Sequence, residues 1–197
     1  HKQPMRLAYV AGPDGAYEIG LEAEDAAGHA VATSARVDVK NDGLDLSQQG
    51  FKDLGFGISF LYPFEWTDVE RYERADGSDE LYVTDEAGDV TLSAINVEKV
   101  ESLEDVEAKA KEELASEEAK VGPTTDVTVG QDPGRSTEYE ITDEDGQKLA
   151  GRIVAVYIEE TKQGYLLKIE APEEQTEDAE KVLTAVLETC EFFAPPE

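Results

Sequence analysis

The chain has 197 residues, 40% of them apolar, enough for one ordinary domain with a small appendage and a sizeable core. Its 46 Asp and Glu against 17 Lys and Arg give a formal net charge of -29. A surface this negative repels phosphate backbones and anionic lipid, so neither nucleic acid nor membrane insertion is expected.

Self-repulsion of this size is relieved where salt screens it, since the Debye length falls from about 10 Å at 0.1 M to about 3 Å at 1 M. A saline, alkaline or calcium-rich exterior therefore suits the chain better than dilute cytosol. Cys190 is the single cysteine, so no intramolecular disulfide forms and the compartment is left open. No run of 18 apolar residues provides a spanning helix. No signal peptide is visible, and a chain that starts at His1 leaves export open, a signal having already been removed.

Residues 5 to 40 contain three extended runs, "MRLAYVA", "AYEIGLEAED" and "VATSARVDVK", separated by the turn-forming "GPDG" and "AAGH". In the middle run Tyr17, Ile19, Leu21 and Ala23 alternate with Glu18, Gly20, Glu22 and Glu24, the period of a strand with one dry face. Asp14-Gly15-Ala16-Tyr17 resembles the tyrosine corner of immunoglobulin-like and fibronectin-type sandwiches, and "AEDAAGHAVATSARVDV" resembles the last hairpin of bacterial extracellular modules of that class. The resemblance covers residues 1 to 42, against the roughly 100 that such a sandwich needs. A partial sandwich cannot bury its inner face, so Tyr9, Tyr17, Ile19, Leu21, Val37 and Val39 need cover and become the candidate interaction residues. Residues 43 to 50 are polar and read as a linker.

From residue 51 to 197 the grammar changes. Strands are expected at "GFGISFLYP", "ELYVTDE", "DVTLSAINVE", "TTDVTVG", "RSTEYEIT", "KLAGRIVAVYIEE" and "QGYLLKIEAP", several joined by Gly-containing turns. A helix is expected from Leu103 to Ala119, with Ser102 as N-cap, Asp105 at the third helical position and Gly122-Pro123 as its stop. A second begins near Thr176, with acids in its first turn and a stripe of Ala179, Val182, Leu183, Val186, Leu187 and Cys190.

This order of strands and helices, with "GISFLYPFEW", Tyr62-Pro63, Trp66, Gly130, Pro133-Gly134 and the ending "CEFFAPP", resembles the PsbP-like domain of the Mog1/PsbP α/β/α sandwich over residues 51 to 195. The resemblance implies an α+β fold, an antiparallel sheet flanked by helices, and accessory roles outside the cytoplasm rather than catalysis. The best-known members assist the oxygen-evolving side of photosystem II. None of their binding motifs carries over residue by residue.

Chemistry is sparse. "GQDPGRST" has the wrong glycine spacing, Arg135 in place of lysine and a strand behind it, so it reads as a turn rather than a phosphate loop. With only His1 and His29, no histidine triad or three-histidine metal site can be built. Cys190 sits on an apolar stripe and reads as a core residue. The aromatics of "LYPFEW", residues 61 to 66, are expected to close a core, with a ligand platform as the alternative. Asp85 and Asp89 in "DEAGD", and Asp143 and Asp145 in "DEDGQ", are the candidate metal ligands, for calcium, although neither turn has the twelve-residue calcium-loop pattern. No other cofactor is expected. The reading is a non-catalytic, secreted or cell-surface module whose partner is a protein, including further copies of itself, with a ligand- or calcium-binding accessory domain as the alternative.

Overall fold

The structure is a computed structural model and describes residues 15–24, 30–39, 48–142 and 146–194. The chain divides into two compact units, His1–Gln49 and Gly50–Glu197. In the first, β1 (Gly15–Glu24) and β2 (Ala30–Val39) form an antiparallel hairpin whose register sets Tyr17 opposite Val37, Leu21 opposite Thr33 and Gly15 opposite Val39. Five of the six candidate interaction residues thus lie on these two strands. Tyr9 and the first extended run fall outside the described residues.

The second unit holds β3 (Gln48–Asp53), β4 (Ile58–Pro63), β5 (Glu70–Glu73), β6 (Asp79–Thr84), β7 (Thr91–Val97), α1 (Leu103–Ser116), β8 (Lys120–Val129), β9 (Asp132–Thr142), β10 (Lys148–Ile158), β11 (Gln163–Pro172), α2 (Thr176–Thr189) and β12 (Glu191–Phe192). Seven strands pair antiparallel in the order β5-β6-β7-β11-β10-β9-β8, and a small second sheet runs β12-β4-β3. The central strands of the large sheet are dry on both faces. Against one face α1 packs Val106, Ala110 and Leu114 onto Ile95, Tyr139, Ile153, Ala155 and Leu166. Against the other, α2 and the small sheet bring Leu183, Val186, Ile58 and Phe60 onto Val83, Val154, Val156, Leu167 and Ile169.

Each helix has a local cause. Ser102 Oγ accepts the Asp105 N–H at 3.2 Å, and Asp105 Oδ2 reaches back to the Glu101 N–H at 2.9 Å, satisfying two donors at the start of α1. The expected stop at Gly122-Pro123 is corrected: α1 ends at Ser116, three residues before the expected Ala119, and Glu118 just beyond it turns into the left-handed region at φ 55°. Gly122 and Pro123 lie inside β8 instead, where a register shift between Val121 and Thr124 accommodates a proline on a strand at the sheet edge. In α2 the expected stripe is buried at Ala179, Leu183, Val186 and Leu187, and Cys190 closes it as the C-terminal cap residue.

Three strands escaped the sequence pattern: β3, whose first three residues had been assigned to the linker, the fully exposed β5, and the two-residue β12. Tyr165 joins the two sheets. It is fully buried on β11, donates its hydroxyl to the Phe56 carbonyl at 2.9 Å, and lies with its ring centroid 4.9 Å from that of Phe192.

The "GQDPGRST" stretch is a two-residue turn, Gly130-Gln131, leading into β9, as its spacing implied. Gly130 has φ 59°, donates its N–H to the Leu187 carbonyl at 2.6 Å, and leaves no room for a side chain because a Cβ would collide with the Cys190 carbonyl oxygen. The turn therefore satisfies an orphan carbonyl at the end of α2. Gly130→Ala is expected to cost about 2 kcal/mol or more, from left-handed strain plus the backbone collision, read as a lowered midpoint in denaturant unfolding. An unchanged midpoint would show that the turn does not hold the helix end.

Candidate functional site

Three features of the second unit carry polar chemistry or free surface. The first lies under the C-terminal half of α1. Lys168 projects from the central strand β11 and is only 9% exposed. Its ammonium pairs with Glu117 of α1 and with Glu170 Oε1 at 3.1 Å, and Tyr139 donates its hydroxyl to the same Glu170 oxygen at 2.8 Å. Beside it Arg74 bonds both carboxylate oxygens of Glu113 at 2.7 and 2.9 Å and lies 3.4 Å from Glu80. Gly151 makes the room that Tyr139 needs, since a Cβ there would meet the phenol oxygen at 2.6 Å.

Burial works to lower the Lys168 pKa, but Glu170 and Glu117 more than offset it and the value rises. Burial, then Glu170, pushes the Tyr139 phenol far above its usual range. A charged, paired ammonium and a protonated phenol are not a nucleophile and a base, since a catalytic lysine needs a lowered pKa. The cluster secures α1 to the sheet. It also offsets the acids that crowd the C-terminal turn of α1, where the helix dipole disfavours them and no basic residue stands.

The second feature is the edge strand β8. From Lys120 to Asp126 every residue is exposed, as are Val121, a large apolar side chain, and Thr128 further along. Only alternate residues of an antiparallel strand bond to their neighbour, so the others turn their N–H and C=O groups away from the sheet. Side chains fix β8 on its inner partner: Thr124 and Thr137 hydroxyls lie 2.8 Å apart, and Asp126 pairs with Arg135. The opposite edge, β5, is only four residues long.

The third is a cleft of about 1580 Å³ between β3 and β4, the turns after β8 and β10, and the end of α2. Phe51, Leu61, Phe192 and Phe193 wall it, and Asp132, Glu159, Glu160, Glu188 and Glu191 line it with carboxylates. Of the "LYPFEW" aromatics, Tyr62 is buried in the core, Trp66 packs against it, and Phe64 is exposed, so the segment mainly closes the core.

Of the candidate metal ligands, Asp85 and Asp89 share the turn between β6 and β7. Asp85 Oδ1 accepts the N–H groups of Asp89 and Val90 at 2.8 and 3.0 Å, closing its own hairpin, and Asp89 Oδ2 takes Gln175 at 3.3 Å. Asp143 and Asp145 lie outside the described residues. Among the described residues no three His, Cys, Asp or Glu groups are placed to share a metal ion. Cys190 is a free, buried thiol that burial, then Asp132, pushes well above its ordinary pKa.

Glu117, Asp132 and Glu180 share one electrostatic sign: burial raises each carboxyl above its usual value, against the pull of Lys168 on Glu117 and of Arg152 on Glu180. The folded chain thus holds protons that the unfolded chain has released. Stability from these groups falls as pH rises through the folded values and is fully present below the unfolded ones. Thermal unfolding is expected to give a higher Tm near pH ~5 than near pH ~8, and Asp132→Asn with Glu180→Gln is expected to shrink that difference. A Tm that climbs over the same interval would contradict the assignment.

The chain matches no known family's sequence profile, and no curated protein matches it. Solved structures do. Cyanobacterial PsbP (CyanoP) from Synechocystis superposes with a TM-score of 0.58 at 16% identity, covering 80% of this chain and 98% of that one. Mog1p, a Ran-binding protein of Saccharomyces cerevisiae, gives 0.49 at 11% identity over 75% and 96%. LpqN of Mycobacterium tuberculosis, involved in cell envelope biogenesis, gives 0.43 at 12% identity over 88% and 90%. With its antiparallel sheet between helical layers and its likeness to CyanoP, the body of this chain has the PsbP-like α+β fold.

Proposed function

We propose that the chain is a non-catalytic module of the cell exterior or surface that acts through protein contacts, and that it assembles with further copies of itself by strand pairing. The observation that carries this reading is β8, a ten-residue strand at the sheet edge whose side chains are exposed from Lys120 to Asp126 and at Thr128. Folded proteins blunt such edges because they template pairing. Here the blunting by Pro123 and the register shift is confined to the first part of β8, and Thr124–Val129 runs in unbroken register with β9. The β1–β2 hairpin supplies strands of matching length, ten residues each. Among the described residues β1 and β2 pair only with each other, and a two-stranded sheet is at best marginally stable in water, so the hairpin gains from an acceptor edge. Head-to-tail addition of one copy's hairpin to the next copy's β8 closes a ring or extends a fibre.

The location outside the cytoplasm rests on the charge of -29, which suits a salt-screened medium, and on the accessory roles that the PsbP-like resemblance implies. A non-catalytic reading agrees with the Lys168 ammonium being held by two carboxylates.

Light scattering coupled to size exclusion tests this reading. In about 1 M salt, where repulsion is screened, the full chain is expected to show a mass above the monomer that grows with concentration. A version lacking residues 1–45, and a Thr125→Glu/Thr128→Glu version with like charges on the edge, are each expected to stay monomeric. Monomers throughout, or oligomers that survive both changes, would overturn strand pairing.

A further inference from the structure

The cleft beside β4 and the end of α2 takes no part in strand pairing at β8, and its chemistry selects an occupant. Its volume, about 1580 Å³, exceeds the roughly 300–1,000 Å³ of ordinary small-molecule pockets and suits an extended chain. Part of its wall is apolar: Leu61 is 37% exposed there, beside the half-buried rings of Phe51, Phe192 and Phe193.

Its charge is one-sided. Five carboxylates line the cleft against one ammonium, Lys52, which lies 4.7 Å from the Phe193 ring centroid rather than on an acid. Among the described residues none of those five carboxylates has an ion-pair partner, whereas Arg71, Arg74, Arg135, Arg152 and Lys168 are all paired elsewhere. Asp132 and Glu160 oppose each other: burial first, then the Glu160 charge, raises the Asp132 carboxyl. Asp132 is half-buried and Glu160 is exposed at the rim, and two like charges left there without a counter-ion cost free energy that an incoming cation removes. The wall is preformed, since the Gly130 N–H and the Leu187 carbonyl lock the turn to α2, and Leu61 N–H bonds Thr189 Oγ1 at 3.0 Å.

We propose that this cleft binds a basic, partly apolar peptide segment of a partner protein. Lysine or arginine side chains of the segment meet Asp132 and Glu160, and its apolar side chains lie on Leu61 and the phenylalanine rings. An anionic or purely apolar segment would leave the carboxylates unneutralised.

The test is fluorescence polarisation of the full chain with a labelled peptide of alternating lysine and leucine, about nine residues long and so about 30 Å extended, at about 0.15 M salt. Saturable binding is expected, weakened about tenfold or more by Asp132→Asn/Glu160→Gln and markedly by Leu61→Ser. Glu173→Gln/Glu174→Gln removes the same charge outside the cleft and is expected to change affinity less than about twofold. Melting temperatures no lower than that of the unaltered chain will show that the variants remain folded. Equal weakening by both double variants would assign the binding to the diffuse field of an acidic protein and overturn the site. So would a failure of the peptide to bind, or displacement by spermine as effective as by unlabelled peptide, which would make the cleft a polyamine site. Persistence of peptide binding in the Thr125→Glu/Thr128→Glu chain separates this result from the fate of strand pairing.

Discussion

Everything in the larger unit follows from β11 being dry on both faces. Gly164 to Lys168 and Ile169 are all buried, so the strand can exist only where something covers each side. α1 covers one and α2 with the small sheet covers the other, which makes the layered sandwich a requirement rather than one option among several. Lys168 sharpens the constraint. An ammonium on such a strand is tolerable only if carboxylates come to it, and Glu117, at the end of α1, is fixed there by that need. Gly164 and Gly151 meet the same demand by omission, leaving space for the Val100 and Val106 side chains and for the Tyr139 ring.

The same burial accounts for where the surface is left open. Central strands are consumed by packing, so contact chemistry is displaced to the periphery: the β8 edge and the cleft where the small sheet meets the end of α2. Both lie next to the Gly130 turn, whose N–H closes α2 and whose neighbours Gln131 and Asp132 line the cleft.

Legibility in the sequence tracked burial. α2 could be read because Ala179, Leu183, Val186 and Leu187 recur at helical spacing, and the start of α1 because Ser102 and Asp105 make a capping pair. β5 could not, since "ERYE" is exposed on both faces and has no alternation to read. Gly122-Pro123 misled because the pair stops helices in general, whereas a positive φ at Glu118 had already done so here. Nothing in "QGYLLKIEAP" marks Lys168 as buried; only the tertiary structure shows its face covered by α1. The β8 edge was equally hidden, because strand order within a sheet is not a local property of sequence. Likewise the acids of the cleft come from three separate stretches of an acidic chain, which the sequence alone does not bring together. On the first unit the period-two pattern of Tyr17, Ile19 and Leu21 did locate β1, and the register with β2 follows from it.

Hydrogen exchange read by mass spectrometry, on the full chain at low and high protein concentration in about 1 M salt, tests the central claim most directly. If β8 accepts a strand from another copy, amides of Thr124–Val129 gain protection with concentration, together with those of residues 15–39, while β11 stays protected throughout. Exchange at β8 that is indifferent to concentration would contradict the account.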